Sequence, residues 1–145
     1  MPPTSRPLVR VRDLYKSFVR GTEEIRVLQK LSLDVPVGEY LALMGPSGSG
    51  KTTLLNLIAG LDTPTGGDIY VGDEHVSAMS ESELARWRTR SVGFVFQFYY
   101  LLPVLTAYEN VEYPLLVRGL GRAQRRERVD YWLEQVGRAS CRERV

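Results

Sequence analysis

The chain has 145 residues, enough for one domain with its own core and too few for two ordinary ones. Hydrophobic residues at 43% and charged residues at 25%, with 13 Gly and 8 Pro, match ordinary globular composition and exclude disordered and collagen-like classes. The net charge of +2 gives no ground for nucleic acid as a partner of the whole chain.

Residues 8–12 (Leu-Val-Arg-Val-Arg) and 31–35 (Leu-Ser-Leu-Asp-Val) alternate apolar and polar side chains, the pattern of half-buried strands. Residues 39–44 end in a continuous apolar run, which suits a strand buried on both faces of a parallel sheet. A glycine-rich loop follows at 45–50, and then Leu54, Leu55, Leu57 and Ile58 recur at helical spacing over 51–59, with Gly60 placed to end the helix. Residues 62–67 form a turn cluster and 68–71 a short strand.

Ser80 with Glu83, and Thr106 with Glu109, are capping-box pairs that each announce a helix. Between those helices residues 91–96 read as another strand, and Gly119 and Gly121 precede a last helix over about 122–136. The eight Arg against four acids from Arg118 onward read as a solvated helical face. His75, the lone histidine, is expected at the surface without a catalytic task, and Trp87 and Trp132 are expected to pack.

No apolar run approaches the roughly 18 residues of a membrane span, since the stretch over 99–108 is broken by Pro103. The first seven residues hold no apolar core of a secretory signal. The single Cys141 forms no internal disulfide, and no His and Cys cluster has metal-ligand spacing. These features point to the cytosol or its membrane surface.

The chemistry is concentrated in Gly45-Pro46-Ser47-Gly48-Ser49-Gly50-Lys51-Thr52, which matches the P-loop pattern. Its glycines permit a tight turn in which backbone N–H groups converge on phosphate oxygens, at the positive end of the following helix. Lys51 would neutralise the β and γ phosphates, and the Thr52 hydroxyl would ligate Mg²⁺.

Three further stretches carry a resemblance: 27–39, leading through Gly38-Glu39 into the loop; 56–67, Asn-Leu-Ile-Ala-Gly-Leu-Asp-Thr-Pro-Thr-Gly-Gly; and 92–97, Val-Gly-Phe-Val-Phe-Gln, followed by 100–103 and 106–111. With the P-loop, they make the chain resemble the ATP-binding subunit of ABC transporters over residues 8–137. The lipoprotein-releasing and macrolide-export type is the most similar. The resemblance implies an α/β fold, a P-loop NTPase of the ABC type, with an N-terminal antiparallel β part and the start of a helical subdomain.

It also implies ATP and Mg²⁺ as ligands, with Thr53 joining the loop residues at the phosphates. Gln97 would be the Q-loop glutamine, near Mg²⁺ and the attacking water. Phe18 best fits the ring that stacks on adenine, with Tyr15 second. The partners implied are an integral membrane permease and a second ATPase copy, at the cytoplasmic face of the membrane.

A Walker B strand ending in Asp and Glu, a Leu-Ser-Gly-Gly-Gln signature loop and a switch histidine are all missing from the sequence. Residues 1–137 thus read as the N-terminal portion of an ATP-binding domain. Residues 138–145 depart from the family pattern, as a truncation or frameshift would leave them. The expectation is weak Mg-ATP binding without appreciable turnover. Two other readings stay open: a P-loop kinase or GTPase fragment, and a non-catalytic module that acts by nucleotide occupancy.

Overall fold

A computed structural model describes residues 6–96, 98 and 100–137. They fall into two compact units, one running to Arg88 and the other starting at Thr89.

The first unit is organised by a hairpin of β1 (Val9–Arg20) and β2 (Glu23–Val35). The strands are antiparallel from Val9↔Val35 to Arg20↔Glu23 and turn through Gly21, whose φ of +64° suits a residue without Cβ. On its other edge β1 pairs antiparallel with β3 (Gly66–Val71), and β3 with the two-residue β4 (Glu74–His75), giving the order β2-β1-β3-β4. Every ladder among the described residues is antiparallel.

The register of β1 slips between Val11 and Leu14, where Asp13 adopts a φ of +44° and its N–H donates to Ser32 Oγ at 3.0 Å. This bulge pushes the Asp13 and Arg12 carbonyls toward β3. A Cβ on Gly67 would lie 2.4 Å from Asp13 O and 2.6 Å from Arg12 O, so only glycine fits there.

One face of this sheet is covered by α1 (Lys51–Ile58) and α2 (Glu81–Ser91). Val11, Leu14, Leu28 and Ile69 from the strands meet Leu54 and Leu57 of α1, Val76 of a short 3₁₀ turn, and Leu84 and Trp87 of α2 as the buried apolar core. Gly60 ends α1 at a φ of +65°. A Cβ there would meet Leu84 at 2.8 Å and Trp87 at 3.3 Å, so the glycine is also what lets Trp87 seat. Arg88 closes the contact by donating to the Gly60 carbonyl.

In the second unit, α3 (Ala107–Val117) starts at a complete capping box: Thr106 Oγ1 accepts from Glu109 N at 3.1 Å, and Thr106 N donates to Glu109 Oε2 at 2.7 Å. Asn110 holds the preceding turn, accepting from Leu102 N and donating to the Leu102, Leu105 and Thr106 carbonyls. Arg125 of α4 (Arg122–Gln135) joins the two helices through Glu112 at 2.8 Å, and Val129 and Leu133 of α4 are buried.

Three expectations fail. Residues 39–44 pair with no strand and lie open, with Tyr40 95% and Met44 91% exposed. A strand of that composition is stable only between neighbours that cover both faces and take its backbone hydrogen bonds. Residues 91–96 likewise form no strand: α2 extends to Ser91, and the rest is irregular, with Phe94 stacked on Phe96 at 5.6 Å. Trp132 does not pack into a core; it is 58% exposed, edge-on to Tyr131.

Candidate functional site

Just before α1, residues 45–50 turn through three left-handed glycines, Gly45 (φ +153°), Gly48 (φ +79°) and Gly50 (φ +86°). Gly50 matters most for placement, since a Cβ there would sit 3.0 Å from Leu28 and 3.1 Å from Val27. Its absence lets the first turn of α1 lie directly against β2. Leu54 and Leu57 then bury the inner side of α1, leaving its N-terminus facing outward.

That N-terminus carries no side-chain cap and no acidic residue in its first turn. Its leading N–H groups therefore remain available to an anion, reinforced by the helix dipole. A cleft of about 390 Å³ opens there, lined by Val27 and every residue from 47 to 53.

Lys51 is turned back onto its own loop. Its ammonium donates to Gly45 O at 2.9 Å, Pro46 O at 2.7 Å and Ser49 Oγ at 3.2 Å, while Ser49 N donates to Pro46 O at 3.3 Å. A cation held by neutral carbonyls in the hollow of such a loop is the charge that a polyphosphate would recruit. The structure thus brings Gly45, Pro46, Ser47, Gly48, Ser49, Gly50, Lys51, Thr52 and Thr53 together in one cradle.

For Mg²⁺ the fit is narrower. Among the described residues no group of three His, Cys, Asp or Glu could hold a metal ion. Thr52, exposed at the start of α1, offers one hydroxyl. That suits an ion that takes the rest of its octahedron from phosphate oxygens and water. Gln97, the other expected ligand, lies outside the described residues.

Phe18, near the tip of the hairpin and opposite Ile25, is 43% exposed and so is not ordinary core. Tyr15, the second candidate, lies in β1 opposite Gly66 and is half-buried. His75 is half-exposed as expected, stacked on Tyr70 at 4.3 Å and 2.8 Å from Asp68.

Two residues of this region escaped the sequence reading. Lys16 is 8% exposed, its ammonium 2.7 Å from Asp62 Oδ1, 2.7 Å from Thr63 O and 4.7 Å from the centroid of the Phe18 ring. The available signal was positional, because Lys16 stands two residues after Leu14 on the inward side of a strand, where an apolar side chain is the norm. The Asp13 bulge shifts the alternation and hides it.

The sequence profile of the ABC transporter family matches residues 28–145. An ABC transporter ATP-binding protein of Bacillus subtilis, YknY, is 45% identical over 132 residues, 91% of this chain and 57% of that protein. The lipoprotein-releasing system ATP-binding protein LolD of Koribacter versatilis is 45% identical over 84% of this chain and 55% of its own length. The macrolide export ATP-binding/permease protein MacB of Brucella abortus is 48% identical over 84% of this chain and 19% of its own.

Among solved structures, the dimeric post-hydrolysis state of the ATP-binding cassette MJ0796, bound to ADP and Pi, superposes with a TM-score of 0.80 at 39% identity. The match covers 87% of this chain and 56% of that one. The chain thus spans little more than half the length of its stand-alone ATP-binding relatives.

Proposed function

The chain belongs to the ABC transporter family as an ATP-binding domain, and on that footing we propose that it binds Mg-ATP in the 45–53 cradle. We further propose that it does so for a transporter whose membrane permease uses the resulting closure and hydrolysis. The observation that carries the reading is the loop itself: left-handed glycines, an uncapped helix N-terminus and a lysine curled into the hollow.

In this reading Lys51 exchanges its carbonyl partners for the β and γ phosphates, and the N–H groups of residues 48–53 take the remaining oxygens. Thr52 holds Mg²⁺, which when bound supplies charge neutralisation between the phosphates. Phe18 offers a ring face to adenine, and Gln97 orients water. Residues 1–137 serve as the N-terminal part of the domain.

The likeness to LolD and MacB supports a partner permease of the lipoprotein-releasing or macrolide-export type, reached from the cytoplasmic face of the membrane. The dimeric neighbour supports a second copy as the other half of the machine. No helix among the described residues is long and apolar enough to cross a membrane.

These 145 residues alone are expected to bind without appreciable turnover. After Asp73 the next aspartate is Asp130, on α4 rather than at a strand end, and no signature loop is present in the sequence. Calorimetric titration of the chain with Mg-ATP, beside phosphate-release assays, tests both halves. Binding that Lys51→Ala weakens by more than about tenfold, with phosphate release at background, is the expected outcome. Turnover near about 1 s⁻¹ that Lys51→Ala abolishes would overturn the second half, and binding indifferent to Lys51→Ala would overturn the first.

A further inference from the structure

A lysine ammonium nine-tenths out of water requires partners, and Lys16 has three of different kinds. Asp62 supplies a carboxylate at 2.7 Å, Thr63 a carbonyl at 2.7 Å, and Phe18 a ring face at 4.7 Å. Asp62 is itself fixed, because its Oδ1 also accepts from Thr63 N at 2.8 Å. The segment it belongs to is stitched to β1 on both sides of Lys16: Thr65 N donates to Tyr15 O at 2.9 Å, and Ser17 N donates to Thr65 Oγ1 at 3.1 Å.

The segment 61–65 is the exit of α1, since Leu61 N still donates to Asn56 O at 2.8 Å. One helix thus carries the phosphate cradle at its start and the Lys16 anchor just past its end. Phe18 is 43% exposed, and its ring is met by a cation that is itself held in place. The cation thereby restrains the orientation of a ring that remains partly open to solvent.

We propose that Lys16 is a positioning residue for the nucleotide base. Clamped by Asp62 and Thr63 at the exit of the P-loop helix, it holds the Phe18 ring face-on so that the opposite face is set to stack on adenine. The inference rests on the reading of Phe18 as the adenine platform. Lys16 does not touch the phosphates in this scheme, so its contribution is confined to the base.

That confinement is what an experiment can read. The full chain is titrated in Mg²⁺ with ATP and, separately, with inorganic tripolyphosphate, which offers phosphates and no base. Lys16→Met should weaken ATP about three- to tenfold while leaving tripolyphosphate within about twofold. Lys16→Arg, which keeps a cation for both the carboxylate and the ring, should restore most of the loss. In a Phe18→Leu background Lys16→Met should have no further effect on ATP.

Asp62 is about one-third exposed and keeps its Thr63 N–H, so water can replace the lost ammonium and the variant should fold. If it does not, Asp62→Asn loosens the same clamp with the cation retained, and the same ATP-selective loss is expected. Equal weakening of both ligands would show a structural role only and overturn the proposal. So would an unchanged ATP affinity in Lys16→Met when Phe18→Leu has lost affinity, an outcome that leaves the platform reading standing. If Phe18→Leu itself leaves ATP binding unchanged, the platform reading falls, and the positioning role falls with it.

Discussion

The two flanks of the phosphate loop are both rich in apolar residues, yet only one is folded into the molecule. Residues 51–58, after the loop, wind into α1 and bury Leu54 and Leu57. Residues 39–44, before it, are as hydrophobic and lie open, pairing with nothing among the described residues. A helix closes its hydrogen bonds within itself and needs a neighbour for one face only. A doubly buried strand closes none of its own and needs neighbours on two edges and two faces. An apolar cleft of about 300 Å³ lies where this flank meets the folded one, lined by Leu28, Leu31 and Leu54 together with Leu43 and Met44.

The sharpest way to break this contrast is to truncate one side chain on each flank. Leu57→Ala should cost about 2–5 kcal/mol of unfolding free energy in urea melts, the range for a cavity left in a packed core. Met44→Ala should change it by less than about 0.5 kcal/mol, as at an exposed position. A cost for Met44→Ala comparable to that of Leu57→Ala would mean that the first flank is buried in solution, and the contrast would be lost.

A smaller effect probes the same distinction in the second unit. Because α3 is closed by its own residues, Thr106→Ala should remove both the bond to Glu109 N and the reciprocal arrangement, costing about 0.5–2 kcal/mol. The loss should appear as faster amide exchange confined to the first turn of α3. Exchange that rises uniformly across the unit would show that its helices depend on each other more than on their caps.

The smallest effect is acid-dependent. The Ser80 hydroxyl, and then its N–H, hold the Glu83 carboxylate below the usual range, and the Arg12 guanidinium does the same for Asp34. A carboxylate depressed in the folded state contributes stability that is whole above its unfolded pKa of about 4. The contribution fades as pH falls through the lowered folded value. Melting temperature should therefore decline below about pH 4, with a shallower decline in Ser80→Ala. Identical acid limbs would remove Glu83 from the account.

What was legible in the sequence follows the same line. The helices were announced by residues that act within a few positions: Thr106 with Glu109, Ser80 with Glu83, Gly60 at the end of α1. The cradle was legible for the same reason, because the turn, the helix start and Lys51 occupy eight consecutive residues. β1 was legible only in its first half, since the Asp13 bulge interrupts the alternation that would have carried it to Arg20. The strand expected over 91–96 failed because periodicity records which face is apolar and not whether a partner strand is at hand. Lys16 and Asp62, 46 positions apart, meet through the β1 to β3 pairing, which no local pattern encodes.

The curled Lys51 has a consequence for how nucleotide affinity should be understood. Its ammonium is already occupied by Gly45 O, Pro46 O and Ser49 Oγ, so an incoming phosphate enters a competition rather than filling a vacancy. The part of the binding heat due to Lys51 is then a difference between two sets of bonds to one cation, smaller than its bonds to phosphate alone. The tenant lysine also keeps the Gly45 and Pro46 carbonyls from repelling one another and leaves the hollow ready-shaped. A neutral isostere such as Lys51→Met should therefore relax the loop as well as remove the charge. Its lost affinity would count both effects at once.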